Sequence, residues 1–208
     1  MAAISLDEIQ KKLNGASLPG EIGHHIMLPQ NARGATRPRQ ATHVTSRNSA
    51  VMALLTPGKS SELDLIFTLR STKLRSHSGQ ISFPGGKIDP DESPQEAAKR
   101  ETREEIGIAE SNVQVLGNLS KIYVPPSNSD IHPFIGYTEQ KPTIASPEEV
   151  EEIFTVPLAF LADRGNIRTM NRIFDGVEYK VPYFDVHHKV PLWGATAIIL
   201  GELIALLD

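Results

Sequence analysis

The chain has 208 residues, of which 39% are hydrophobic and 22% are charged, a composition ordinary for a soluble globular protein with one sizeable core. Its formal net charge of -4 argues against a general nucleic-acid binder, which normally carries a basic excess. The absence of cysteine excludes disulfides, thiolate metal sites and cysteine nucleophiles.

The first residues predict a short amphipathic helix, because Ile4, Leu6, Ile9 and Leu13 approximate helical spacing. Charged residues interrupt this stretch, so it lacks the continuous apolar run of a signal peptide. Residues 14–48 are rich in Gly, Pro, Asn and Arg and favour an extended arm or long loop.

Apolar runs separated by turn residues then predict strands. These runs are residues 50–55, 63–69, 113–119, 131–137, 149–156, 166–174 and 177–184. Asp175-Gly176 between the last two is a strong hairpin signal. The most apolar stretch, Leu192 to Leu207, is interrupted by Glu202 and is too short to cross a bilayer. It favours a buried helix from about Gly194 to Leu207. Strands interleaved with helices predict an α/β fold with a sheet packed between helices.

The clearest helix is predicted between Ser93 and Gly107. Ser93 can cap it, Pro94 fits its first position, and Glu96 completes a capping box with Ser93. Gly107 can adopt the left-handed conformation that ends a helix.

The charges of this helix fall into two sets. Glu96, Arg100 and Glu104 follow one another at four-residue spacing, which predicts a solvated face held by ion pairs. Glu101 and Glu105 have no cation within helical reach and repel each other by roughly 0.2–0.5 kcal/mol. A hard divalent cation would offset both carboxylates. The alternative is an exposed surface whose acids pair with distant Lys or Arg residues, or with nothing.

A longer pattern surrounds these acids. Gly85 and Gly86 have no side chains, so a phosphate or metal can approach their backbone closely. From Gly86 the sequence reads G-x5-E-x7-R-E-U-x-E-E-x-G-U, with Glu92 and residues 100–108 supplying the later positions. This pattern resembles the Nudix box, and only Thr102 departs from it, at a position that is usually aliphatic.

The resemblance implies a mixed sheet between helices and a site for Mg²⁺ or Mn²⁺. By this resemblance Glu101 and Glu105 would bind the metal directly, and Glu104 would bind it or lie just behind, with the Gly86 carbonyl close by. Arg100 is expected to orient a glutamate through a charge-assisted hydrogen bond rather than to contact substrate.

Nudix enzymes typically hydrolyse a nucleoside diphosphate linked to another group, and a carboxylate accepts the proton of the attacking water. The resemblance leaves two sources for this base, a box glutamate such as Glu104 or an acid on a separate loop. Residues 146–152 are the second source, and Glu149 is the candidate there. An acidic turn that leads into a strand explains the same residues without a catalytic role.

A second signature lies directly before the box. Residues 69–86, with the spacing Arg-Ser, Leu, His and Gly-Gln-Ile-Ser-Phe-Pro-Gly-Gly, resemble the additional motif of the coenzyme A pyrophosphatase branch of the Nudix proteins. Residues 192–197 are similar to the C-terminal segment of that branch. The resemblances together cover roughly residues 50–200 and imply substrate contacts at five positions. These are Arg70, Arg75, His77, Gln80 and Gly85.

The signature concentrates positive charge at Arg70, Lys73, Arg75 and His77 in an acidic chain. Coenzyme A carries a 3'-phosphate besides its diphosphate, so it needs more cationic contacts than ADP-ribose does. The alternative is that these bases only solubilise a loop or offset the nearby glutamates. Two histidine pairs, at residues 24–25 and 187–188, are interpreted as surface or packing features, since neighbours on a strand point to opposite faces.

The predicted function is metal-dependent hydrolysis of coenzyme A, or its derivatives, to 3',5'-ADP and 4'-phosphopantetheine. Two alternatives stay open: another nucleoside diphosphate substrate such as ADP-ribose, and a non-catalytic binding module. We assign residues 1–48 to an N-terminal helix and arm and residues 49–208 to the Nudix domain. The expected partner is a small-molecule substrate, without nucleic acid or membrane, in a cytoplasmic protein, and a homodimer is left open.

Overall fold

A computed structural model describes the protein over residues 4–15, 17–36, 46–59, 62–74 and 77–208. The helices of these ranges are α1 (Leu6–Gly15), α2 (Glu21–His25), α3 (Pro94–Ile106), α4 (Leu158–Ala162) and α5 (Gly194–Leu207). The strands are β1 (Gln30–Asn31), β2 (Arg47–Pro57), β3 (Leu63–Arg70), β4 (Ile81–Ser82), β5 (Gly85–Lys87), β6 (Gln114–Asn118), β7 (Ile122–Val124), β8 (Ser129–Tyr137), β9 (Val150–Pro157), β10 (Ile167–Phe174) and β11 (Val177–Phe184). The seven predicted strands and three predicted helices are all present.

The larger sheet is mixed and has eight strands. Its main path runs β4-β3-β2-β8-β6, while β5 pairs with β2, β7 with β8 and β9 with β3. The β2–β8 pair is parallel and the other pairs are antiparallel. A smaller antiparallel sheet has the order β1-β11-β10 and contains the predicted hairpin around Asp175 and Gly176. Since β2 pairs with β5 through its first half and β3 through its second, it lies at the centre of the fold.

Alternate side chains of β2 enter two separate cores. Ala50, Met52 and Leu54 pack in one cluster with the buried face of α3. Ala53 and Leu55 belong to the other cluster, which contains most of α5. Because successive residues of a strand point to opposite faces, the sheet lies between these helices. The predicted sheet between helices is confirmed.

The N-terminal region packs onto the same core. Ile9 and Leu13 of α1 are buried in the cluster that contains α5. The described part of the predicted arm is not simply extended, because it contains α2 and the buried residues Met27 and Leu28. The α2–α5 contact is close, since a Cβ on Gly23 would lie 2.6 Å from the Cα of Glu202. The domain boundary after residue 48 stays a prediction.

The last helix is buried along almost its whole length. Its residues from Thr196 to Ile204 are all buried, including Glu202, which is 0% exposed. The apolar run of this helix therefore reflects burial within the protein. Within the described ranges, none of the helices combines the length and apolarity needed to cross a membrane.

Glu202 is the centre of a buried hydrogen-bond network. Its carboxylate accepts from the Ser120 hydroxyl at 2.6 Å and the Gly20 N–H at 3.0 Å, and His24 Nε2 lies 3.0 Å from Oε2. Burial raises the pKa of Glu202, but the hydrogen bonds from His24 and Ser120 outweigh it and hold the pKa below its usual value. His24 is thus a buried partner of an acid, whereas His25 is exposed.

We expect His24→Ala to lower the free energy of unfolding by about 1–3 kcal/mol, since it removes one partner of a buried carboxylate. A carboxyl whose folded pKa is depressed stabilises the fold above its unfolded pKa and loses that contribution as the pH falls. The loss should therefore be full at pH 7 and shrink on acidification below about pH 4.5.

Urea unfolding of both proteins at neutral and acidic pH measures this difference. His25→Ala is the matched control, because it removes an exposed imidazole from the same helix. Equal destabilisation by the two substitutions would contradict a special role for the buried pair.

Candidate active site

The acidic helix α3 begins and ends as its sequence predicts. Ser93 Oγ accepts from the Glu96 N–H at 3.3 Å, and the Glu96 carboxylate accepts from the Ser93 N–H at 2.7 Å. Gly107 ends the helix with a φ of 68°, in the left-handed region that favours glycine. The Glu96 carboxylate is used in this cap, so the predicted Glu96–Arg100 ion pair is replaced by other contacts of Arg100.

Arg100 holds several acids of the box at once. Its guanidinium donates to both carboxylate oxygens of Glu92, at 2.7 and 3.1 Å, and to the Lys87 carbonyl at 3.0 Å. It also donates to Glu101 at 2.9 Å and to Glu104 at 3.0 Å. Arg100 therefore makes the predicted kind of contact with glutamates, and it also joins the helix to the preceding loop.

The expectation that Glu101 lacks a nearby cation is wrong. Adjacent residues rarely face each other on a helix. Here hydrogen bonds to Glu92 and to the Lys87 carbonyl orient the long Arg100 side chain, so that its guanidinium also contacts the Glu101 carboxylate. Contacts from outside the helix thus decide a pairing that helical spacing alone does not predict.

Glu105 is the most deeply buried acid of the helix, with 1% of its surface exposed. It lies 3.3 Å from Arg70 Nη1, at the end of β3, and accepts from the Gly85 N–H at 3.3 Å. Burial raises the pKa of Glu105 to about 7, against the lowering effect of Arg70 and the Gly85 N–H. The nearby charges of Glu101 and Glu149 raise it further. Its partner cation comes from a strand, which the helix sequence does not reveal.

Gly85 and Gly86 lack room for a side chain for two different structural reasons. A Cβ on Gly86 would lie 2.5 Å from the Glu101 carboxyl group, so the missing side chain provides the space for that carboxylate. A Cβ on Gly85 would lie 2.4 Å from the Ala50 carbonyl oxygen, because β5 packs tightly against β2. Gly85 is thus required for strand packing, and its predicted contact with substrate stays a prediction.

Glu149 lies beside the buried acids. Burial raises the pKa of Glu101, Arg100 lowers it, and the charges of Glu104 and Glu149 raise it again. Glu149 is half-buried just before β9, where its carbonyl accepts from the Ser71 N–H at 2.8 Å. The chain therefore brings the candidate base from the separate loop to the same site as Glu101 and Glu105.

The predicted cationic cluster is divided. Arg70 turns inward to Glu105, while Lys73 is exposed to solvent. His77 Nδ1 lies 3.0 Å from Gln80 Oε1, so these two candidates contact each other in an exposed loop. Arg75 lies outside the described residues. Arg70 consequently offsets a buried carboxylate, a role that the sequence analysis left open as the alternative to substrate binding.

The oxygen donors of the acids and of the glycine loop are of the type that binds a divalent metal ion. Glu101, Glu104 and Glu105 offer carboxylate oxygens beside the backbone of Gly86, and hard cations prefer such oxygen donors. Among the described residues no three acids or histidines converge on one cation position. The reason is visible in the contacts, because Arg100 and Arg70 hold the acids in ion pairs that a cation would have to replace.

The second histidine pair is not arranged as predicted. His187 and His188 follow β11 in a loop, and their rings lie 4.5 Å apart, so they do not point to opposite faces of a strand. The His187 side chain is 3% exposed, its ring lies tilted against that of Phe154 with the centroids 4.9 Å apart, and its Nε2 lies 3.2 Å from Glu152. It therefore packs this loop against β9, as a packing feature. No local sequence pattern marks these long-range contacts.

The fold and the site define a class: an enzyme with a mixed sheet between helices, in which a glutamate-rich helix follows a glycine loop. The model of the NUDIX domain family matches residues 46–174. The chain belongs to the NUDIX family, and the predicted enzyme class is confirmed as that of the Nudix hydrolases.

Several curated proteins are similar to the chain. Nudix hydrolase 3 of Caenorhabditis elegans is 30% identical over 69% of this chain and 67% of its own length. The human mitochondrial coenzyme A diphosphatase NUDT8 is 38% identical over 69% of this chain and 62% of its own length. A Nudix hydrolase called NudL from Yersinia pestis is 34% identical over 86% of this chain and 88% of its own length. The chain thus spans less than two thirds of the human relative.

Solved structures support the fold. A Nudix hydrolase from Alicyclobacillus acidocaldarius superposes with a TM-score of 0.54 at 17% identity, covering 77% of this chain and 92% of the other. RenU, a Nudix hydrolase from M. smegmatis, gives a TM-score of 0.52 at 15% identity and covers 86% and 94% of the two chains. The predicted Nudix fold is confirmed, and at these identities the likeness concerns the fold alone.

Proposed function

We propose that the protein hydrolyses the diphosphate bond of coenzyme A or a closely related nucleoside diphosphate derivative. The observation that carries this proposal is the half-buried Glu101 and the buried Glu105 at the glycine loop, with Glu149 close enough for its charge to act on both. Burying like charges together costs free energy unless a positive group compensates them. Arg100 and Arg70 supply part of this compensation, yet the pKa values of both acids stay raised, and a divalent cation at the acids would supply more positive charge.

In this proposal Glu101 and Glu105, with Glu104 and the Gly86 carbonyl, hold Mg²⁺ or Mn²⁺. The metal supplies charge neutralisation of the diphosphate and a more acidic water. Arg100 keeps the carboxylates of Glu101 and Glu104 in place through its hydrogen bonds. An acid at the site would accept the proton of the attacking water, and Glu149 is the first candidate because its charge acts on both Glu101 and Glu105.

Two observations support coenzyme A as the substrate. The signature of residues 69–86 continues without a gap into the box. The human relative that carries the name coenzyme A diphosphatase is 38% identical to the chain. One observation favours the broader alternative of another nucleoside diphosphate derivative. Because Arg70 is paired with Glu105, it is less free to bind the 3'-phosphate that distinguishes coenzyme A.

Product analysis tests the proposal. The protein is incubated with coenzyme A, dephospho-coenzyme A or ADP-ribose, with Mg²⁺ or Mn²⁺, and the products are identified by mass spectrometry. We expect coenzyme A to give 3',5'-ADP and 4'-phosphopantetheine, and chelation of the metal to stop the reaction. Faster cleavage of ADP-ribose would move the substrate to the alternative, and free phosphate as the main product would contradict diphosphate hydrolysis.

A further inference from the structure

The loop between β11 and α5 lies against the first residues of β9. Its Lys189 Nζ lies 3.0 Å from Glu151 Oε1. Its His187 Nε2 lies 3.2 Å from Glu152 Oε2. Glu151 and Glu152 are the second and third residues of β9, and Glu149 directly precedes the strand. The loop therefore contacts the chain within three residues of the candidate base.

The pairing of β9 with β3 is irregular at this point. Two adjacent residues of β3, Leu69 and Arg70, pair with Glu152 and Val150, so Glu151 is an extra residue between them. Such a bulge bends its strand and changes the direction of nearby side chains, and bulges are common beside active sites. The bulge therefore determines the direction in which the chain enters β9 from the candidate base.

Glu149 is fixed on its other side by the end of β3. Its carbonyl accepts from the Ser71 N–H at 2.8 Å, and Ser71 directly follows that strand. Its charge acts on both Glu101 and Glu105, which places it at the acid site. Because proton transfer requires a defined geometry, a displaced base slows the chemical step more than it weakens substrate binding.

The His187 imidazole has one nitrogen bound within its own loop. The Lys189 N–H donates to Nδ1 at 3.3 Å, so Nε2 carries the proton of the neutral ring. This side chain is 3% exposed, and among the described residues no acceptor is aligned with the Nε2–H. A buried donor without an aligned acceptor is destabilising. The Glu152 carboxylate is the adjacent acceptor, and its side chain is 37% exposed, so it has room to rotate into line.

Aromatic packing fixes the plane of the His187 ring. The ring lies tilted against Phe154 of β9 with the centroids 4.9 Å apart. Phe154 stacks on Phe67 of β3 at 5.7 Å, and Phe67 stacks on Phe83 at 5.1 Å. Phe83 lies two residues before Gly85. Contiguous rings thus join the imidazole to the segment that leads into the glycine loop, which makes it a rigid support for β9.

We propose that His187 is a positioning residue for diphosphate hydrolysis and acts on Glu149 through Glu152 and the bulge of β9. The proposal rests on the proposed function, because it takes Glu149 as the base of that reaction. In the catalytic arrangement the Nε2–H donates to the Glu152 carboxylate and holds the start of the strand in place. The loop before α5 thereby controls the rate of proton transfer without contacting the substrate.

Three substitutions of His187 separate the roles of its two nitrogens. Glutamine places a donor near the position of Nε2, asparagine places an acceptor near that of Nδ1, and alanine provides neither. With coenzyme A and Mg²⁺, we expect His187→Ala to lower kcat by about 10–100-fold and to leave KM within about twofold. His187→Gln should restore kcat to within about fivefold of the native value, whereas His187→Asn should not.

The matched control is His188→Ala. It removes an exposed imidazole from the next position of the same loop. This variant should change neither kcat nor KM by more than about twofold, since exposed positions away from the site contribute little to catalysis.

Hydrogen exchange of the Ser71 amide, followed by NMR, gives a readout that does not need turnover. This amide donates to the Glu149 carbonyl, so its protection reports whether the chain before β9 is in place. In metal-free protein, the amide of His187→Ala should exchange at least about tenfold faster than that of the native protein. His187→Gln should exchange at close to the native rate.

The outcomes separate this inference from the proposed function. A native kcat in His187→Ala, or equal rescue by glutamine and asparagine, would overturn the inference even if diphosphate hydrolysis occurs. If the alanine variant does not fold, the comparison of glutamine with asparagine decides alone. A native protein that cleaves no diphosphate would refute the proposed function. In that case faster exchange at Ser71 in His187→Ala would still support the hold of His187 on β9, and unchanged exchange would overturn it.

Discussion

Replacing Glu105 with glutamine is expected to lower kcat/KM by about 10²–10⁴-fold while the fold persists. The substitution keeps the shape of the side chain and can still accept from the Gly85 N–H, but it removes the carboxylate charge that the metal site requires. The cap at Ser93 and the apolar face of α3 are untouched, so the helix should form as before. Steady-state kinetics with coenzyme A and circular dichroism measure the two effects.

Although Glu105→Gln should lower activity, it should raise the free energy of unfolding of the metal-free protein. The pKa of Glu105 is raised by burial to about 7, so between about pH 4.5 and pH 7 the folded state keeps a proton that the unfolded chain has released. The native protein therefore loses stability as the pH rises through this range, and the glutamine variant does not. Without metal, the variant should gain relative to the native protein by at most about 3 kcal/mol between pH 4.5 and pH 8.

Urea unfolding in the presence of a chelator measures this gain at both pH values. Glu148→Gln is the matched control, because it removes an exposed carboxylate two positions before the first residue of β9. The control should change neither activity nor the pH dependence of stability by much. Near-normal turnover of the Glu105 variant with tight metal binding retained would refute its assignment as a ligand.

Gly86→Ala is expected to reduce kcat/KM by about 10²-fold, the size of effect that a displacement of about 1 Å produces. The added Cβ would lie 2.5 Å from the Glu101 carboxyl group, at the flexible end of a side chain. That carboxylate can move aside at little cost to the fold, but it then leaves the position in which Arg100 holds it. Activity should therefore fall much more than stability.

The control for this substitution is Gly15→Ala. Nothing lies within 4 Å of a Cβ built on Gly15, and the residue ends α1 far from the box in sequence. Kinetics and thermal unfolding of both variants compare the two glycines. Equal activities of the two variants would show that catalysis tolerates a displaced Glu101 carboxylate. A large loss of stability in Gly86→Ala would show that the backbone, rather than the carboxylate, had shifted.

Features set by neighbours in sequence could be predicted from the sequence. The bounds of α3 follow from Ser93, Glu96 and Gly107, whose interactions span three or four residues. The hairpin around Asp175 and Gly176 depends on local turn geometry in the same way. The glutamates of the site were found because their spacing is itself a local pattern.

Features that depend on distant segments could not be predicted. Arg70 reaches Glu105 across 35 positions, and His24 reaches Glu202 across 178. Helical spacing says which residues share a face of one helix, but it carries no information about which strand packs against that face. The ion pair of Arg70 with the buried Glu105 is a contact of this kind, and the contact of Arg70 with substrate stays a prediction.

The burial of α5 has a consequence for the rate of folding. Residues 194–207 complete the core in which Ile9 and Leu13 lie, and they carry the acid that binds His24. Until α5 docks, His24 of α2 lacks its carboxylate partner, and Thr196 cannot anchor β4. Such late long-range contacts slow folding and leave apolar surface exposed in the meantime. Docking of α5 is therefore the step on which the remaining long-range contacts of this core depend.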